Sequence, residues 1–124
     1  MTIVFAKKKI SKKSINSLYQ SGCRVKTEHL TCIWKSIKQD SQNSNQLLIT
    51  IPKKKIKKAV NRNYIKRIIR ESYRANLHII NHPTGCSLQI MIIYNKSTML
   101  NFHELNAEFV NLFNLIKDKL YEGY

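Results

Sequence analysis

The chain has 124 residues, 43% of them hydrophobic, and carries 22 Lys and Arg against 7 Asp and Glu for a formal net charge of +15. Its length suits one domain that folds without a metal or crosslink, and three widely spaced cysteines, Cys23, Cys32 and Cys86, with no CxxC pair argue against a disulfide framework or zinc knuckle. The opening MTIVFA is too short for a signal-peptide core and no apolar run approaches the roughly 18 residues that cross a bilayer, so a soluble cytoplasmic protein with no membrane partner is expected.

Residues 1–9 read as an N-terminal arm, basic from Lys7. A short helix follows, in which Ser11 or Ser14 can cap and Ile15, Leu18 and Tyr19 recur at i, i+3, i+4, with Gly22 as a stop. Between residues 25 and 37, Leu30, Cys32 and Trp34 alternate with Thr31, Ile33 and Lys35 as in a strand. Residues 39–46, rich in Ser, Asn and Gln, form a returning loop, and 47–51 a second strand that Pro52 ends. Lysines fill the loop at 53–58, and a helix spans 61–77. Residues 81–85 break the chain with Pro83 and Gly85. The run LQIMIIY at 88–94 is almost wholly apolar, as an interior strand covered on both faces should be. Asn101 and Glu104 are spaced to cap a final helix, whose Leu105, Phe109, Leu112, Phe113, Ile116 and Leu120 make an apolar stripe. The order helix, two or three strands, helix, strand, helix predicts an α+β fold in a single domain: a two-layer sandwich of helices on a small mixed sheet of about four strands.

The charge is uneven. Residues 1–74 hold 19 basic against 3 acidic side chains, and residues 75–124 hold 3 against 4. Ten of the basic residues lie between 53 and 74, where Glu71 is the single acid. At helical spacing Arg62, Lys66, Arg67, Arg70 and Arg74 fall within about 140° of one another, with Asn63 and Tyr73 inside the arc and Ile65 and Ile68 opposite. A solvated face without a role would mix signs to relieve self-repulsion, so this pattern points to a polyanion, and to nucleic acid in particular. A helix-turn-helix reader would need a helix directly before this one, and a strand and a loop stand there instead. Four histidines, His29, His78, His82 and His103, could serve cleavage chemistry, but Pro83 spoils the shared face of His78 and His82. The acids are scattered, so neither catalytic nor metal-binding side chains are expected.

The string IPKKKIKKAVNRNYIKRIIRESYR resembles the signature of the bacterial ribonuclease P protein component, a basic loop followed by Ala-Val-x-Arg-Asn-x-x-Lys-Arg-x-x-Arg-Glu. Ala59, Val60, Arg62, Asn63, Lys66, Arg67, Arg70 and Glu71 match it at every spacing. The resemblance extends more loosely over residues 7–120. It implies a protein subunit of an endoribonuclease whose RNA, with bound Mg2+, removes the 5′ leader of precursor tRNA, and it implies no protein partner. It also implies a left-handed crossover between parallel strands. By resemblance, Lys53, Lys54, Lys55, Lys57 and Lys58 of the loop and Arg62, Asn63, Lys66, Arg67, Arg70 and Arg74 of the helix contact the catalytic RNA. The leader would lie in a cleft with Ile15, where the family usually has Phe, with Tyr19, and with Trp34 as a wall unless that tryptophan belongs to the core. Lys53 and Lys57 replace a serine and a glycine common in the family loop. A structural RNA-binding protein of ribosomal type is the alternative reading.

Overall fold

The computed structural model describes residues 2–5, 12–38, 46–80 and 86–122. In chain order the elements are β1 (Thr2–Phe5), α1 (Lys12–Ser21), β2 (Cys23–Lys26), β3 (Leu30–Lys38), β4 (Gln46–Thr50), α2 (Ala59–Asn76), a 3-10 turn (Leu77–Ile80), β5 (Cys86–Tyr94) and α3 (Phe102–Glu122). The strands lie in the order β1-β4-β5-β3-β2. β4 and β5 are parallel, whereas β1 on β4, β3 on β5 and β2 on β3 are antiparallel. A parallel pair needs a long crossover, and α2 supplies it.

Two elements differ from the sequence reading. The N-terminal arm begins as a strand: Thr2 pairs with Thr50 and Phe5 with Leu47, which adds an edge strand to the about four expected. The strand-like stretch from residue 25 is a hairpin of two strands rather than one, which gives the larger of the two or three expected between α1 and α2: Thr27 donates its N–H to the Leu30 carbonyl (2.9 Å) and β2 returns along β3 with Val25 opposite Cys32. The basic run 7–9, Ser11, the loop at 39–45 and the breaker at 81–85 lie outside the described residues.

Strand alternation divides the sheet into two apolar faces. Val25, Leu30, Cys32, Trp34, Leu47, Ile49, Leu88, Ile90, Ile92 and Tyr94 share one core with Ile65, Ile68, Ile69 and Tyr73 of α2 and Leu105, Phe109, Leu112, Phe113 and Ile116 of α3. Phe113 stands edge-on to both Tyr73 (6.1 Å between centroids) and Phe109 (5.4 Å), a favoured geometry for aromatic pairs. The opposite face packs Ile33, Leu48 and Met91 against Leu18 of α1, with Ile15 and Ile93 at the margin. Close approach there depends on Gly22: a Cβ at this position would lie 2.5 Å from the Leu18 carbonyl oxygen and 2.7 Å from Ile33 Cγ2. Gly22 also ends α1, its N–H donating to the Leu18 carbonyl at 2.9 Å.

The cap on α3 forms as its spacing suggests. Glu104 N–H donates to Asn101 Oδ1 (2.9 Å) and Asn101 N–H to Glu104 Oε1 (3.2 Å), which satisfies two donors reciprocally. One turn on, Glu108 Oε1 accepts from Thr27 Oγ1 (2.7 Å) and from His29 N–H (2.9 Å), and its Oε2 lies 2.6 Å from His29 Nδ1. The turn between β2 and β3 is thereby fastened to α3. Burial, together with the nearby Glu108 carboxylate, pushes the Tyr94 hydroxyl up to about 12. It stays protonated and donates to the Thr98 carbonyl at 2.6 Å.

Candidate nucleic-acid interface

The lysine loop and the first turns of α2 are built together. Pro52 ends β4, and its carbonyl accepts from the N–H groups of Lys55 (3.0 Å) and Ile56 (3.1 Å), closing a tight turn. Ile56 plugs into the core while Lys53, Lys54, Lys55, Lys57 and Lys58 remain exposed. One apolar anchor thus fixes a loop whose other side chains are free to present charge.

On α2 the cationic arc splits. Asn63, Arg67 and Arg74 are exposed and Arg70 is half-buried, so these four project along one outer stripe. The Arg67 guanidinium lies over the Tyr64 ring, 5.4 Å from its centroid, a cation–π contact that orients it. Arg62 and Lys66, expected in the same outward arc, are instead 5% and 1% exposed, and Tyr73 belongs to the core. The cause at Arg62 is plain: Nη1 donates to the carbonyls of Ile56 (2.9 Å) and Lys57 (2.7 Å), so this guanidinium holds the loop from beneath. Burial lowers the affinity of the Lys66 amine for its proton below the usual lysine value of 10.5, and the neighbouring charges of Arg62 and Arg70 lower it further. A buried cation between two others is electrostatically short of negative charge, which an approaching anion would supply.

The second surface expected, beside α1, is smaller than the sequence reading suggested. Tyr19 is 46% exposed, and the Arg24 guanidinium of β2 sits 5.9 Å from its ring centroid. Ile15, one turn earlier, is half-buried against Leu18, Ile33, Leu48 and Met91. Trp34 does not join them. It pairs with Ile90 and Cys23 in register, is 5% exposed, and faces the core beneath α2 and α3. Lys35, its neighbour in sequence, points the other way and donates from Nζ to Ser17 Oγ of α1 at 2.9 Å. Sequence reasoning missed Arg24 and Lys35 as partners of α1. The available signal was the turn at Gly22, which returns the chain alongside the helix it has just left.

Among the described residues no group of three or more His, Cys, Asp or Glu could hold a metal ion, and no helix is long and apolar enough to cross a membrane.

An open mixed sheet, two helices packed on one face and a third on the other, and cations gathered on the crossover helix and the loop before it define a small basic α+β protein. The family model for ribonuclease P matches residues 6–117, and the chain belongs to the ribonuclease P protein family. The ribonuclease P protein component of Photobacterium profundum is 35% identical over 104 residues, covering 84% of this chain and 75% of that protein. Its counterpart in Aliivibrio salmonicida is 31% identical over 112 residues, covering 90% and 83%. With the Porphyromonas gingivalis counterpart the match is 30% over 67 residues, and there the chain spans about half the relative's length (49%). The RNase P proteins of Staphylococcus aureus (TM-score 0.71, 19% identity, 91% of this chain and 97% of that one) and Thermotoga maritima (0.68, 22%, 88% and 97%) have the same fold.

Proposed function

We propose that this chain is the protein subunit of a bacterial ribonuclease P, binding the catalytic RNA of the enzyme and aiding removal of the 5′ leader from precursor tRNA in the cytoplasm. The observation that carries the proposal is the stripe Asn63, Arg67, Arg70 and Arg74 standing beside five exposed lysines on a loop held by Arg62. Guanidinium forks suit phosphate oxygens and lysines supply mobile positive charge, so the surface neutralises backbone phosphates where RNA strands crowd. Folding of the RNA then requires less magnesium.

Bond scission belongs to the RNA. Glu71 is the single carboxylate among residues 53–74 and is surrounded by cations, a donor set unsuited to a hydrated divalent ion, so Mg2+ is assigned to the RNA partner. On the other side of the sheet, the exposed Tyr19 ring with Arg24 over it offers a base-stacking platform for a single-stranded leader. A ribosomal-type RNA binder would share the charge, but the family match favours the processing role.

Reconstitution with ribonuclease P RNA tests the proposal. Addition of the protein should restore cleavage of precursor tRNA at low magnesium and tighten binding of precursor over mature tRNA. Unchanged cleavage would refute it.

A further inference from the structure

Between the lysine loop and the loop joining β5 to α3 lies an open pocket of about 240 Å³ whose chemistry a run of phosphate contacts does not explain. Its apolar surface comes from Met99, which is 41% exposed although large apolar side chains gain by burial, with the core residue Ile56 almost covered at its base. Lys57 and Lys58 stand at the pocket, both exposed, and Asn61 and Ser97 add an amide and a hydroxyl. No acidic residue lines it.

From this combination we infer that the pocket receives one unpaired nucleotide of the bound RNA, its base against Met99 and its phosphate on Lys57 and Lys58. The inference rests on the RNA-binding reading above and deepens it. A paired base keeps its faces within the stack and cannot enter a concavity, whereas an extruded base offers a flat apolar face together with a hydrogen-bonding edge. The polarisable thioether of Met99 suits that face, and the Asn61 amide carries both the donor and the acceptor that a base edge needs. Duplex RNA, by contrast, uses only the cations.

Methionine methyl NMR on the full chain tests the inference, because Met99 lies at the pocket and Met91 is buried on the opposite side of the molecule under α1. Adenosine 5′-monophosphate should shift the Met99 methyl in a saturable way and leave Met91 unmoved. Ribose 5-phosphate and inorganic phosphate, which lack the base, should bind at least tenfold more weakly, and Met99→Ala, read at the backbone amide signals of Lys57 and Lys58, should abolish the preference. Equal binding of the three probes, or a Met99 signal that does not move, overturns the pocket. In a gel shift with catalytic RNA, Met99→Ala should weaken binding severalfold, and unchanged affinity there counts against the inference. Failure of the parent protein to bind catalytic RNA at all would sink the functional reading instead, so the two failures are distinguishable.

Discussion

The Lys57 carbonyl oxygen accepts a hydrogen bond from Arg62 Nη1 at 2.7 Å, so the first arginine of α2 serves the loop that precedes it. A cation that motif and helical phase place on the binding face is employed one layer below, where it sets the position of the lysines that do face solvent. Replacing Arg62 with Ala removes two hydrogen bonds and leaves a void beneath the loop. It should lower folding stability by about 2 kcal/mol as well as weaken RNA binding, as read by urea denaturation and filter binding.

Arg67→Ala should behave differently, since Arg67 is exposed and rests on Tyr64. Stability should change by less than about 0.5 kcal/mol. With about six to eight phosphate contacts in the parent, a plot of log affinity against log salt should slope at roughly −4 to −7, and the variant should lose about one unit of that slope. A slope close to that of a single contact in the parent would contradict the proposed face.

Lys66 gives a pH signature. Its proton is bound more weakly in the folded chain than at the usual 10.5 of the unfolded one, so the unfolded state holds more protons between the two values. Stability therefore rises as pH climbs through the lowered value towards 10.5. In urea titrations across alkaline pH, Lys66→Met should lack this rise relative to the parent. RNA phosphate would favour the charged amine, so binding should take up a proton and weaken over the same range in the parent and less in the variant.

Tyr19 and Trp34 should separate function from folding. Tyr19→Ala, at an exposed ring, should cost about 1–3 kcal/mol in binding precursor tRNA and leave leaderless tRNA unaffected. Trp34→Ala opens a cavity in the main core and should cost about 3–5 kcal/mol of stability, visible in thermal melts without any RNA.

Much of the fold was legible. The apolar run of β5, the Asn101–Glu104 cap and the extent of α2 follow from composition and spacing, and the structure agrees closely. Strand alternation also gave the correct pairing of faces, with Leu30, Cys32 and Trp34 on one side and Ile33 on the other. It could not say which face α1 covers, because both are apolar, and so Trp34 stood open between cleft wall and core until the structure placed it in the core. The inward turn of Arg62 and Lys66 was hidden for a related reason. A helical wheel gives angles around one axis, and only the loop folding back over the helix decides where solvent begins. The strand β1 escaped notice because four residues are too few to show a period, and its partner, β4, lies more than 40 positions away.

The parallel alignment of β4 with β5 gives the charged helix a second duty. Neighbouring strands that run the same way cannot be joined by a tight turn, so the segment bearing the arginines is also the tether that carries the chain from one end of the sheet back to the other. Deleting or shortening it would unzip the middle of the sheet, whereas trimming β2, which lies at the rim and pairs with β3, leaves both pairings of the central strand β5 in place. The proposed recognition surface is therefore written into the part of the topology least able to be lost.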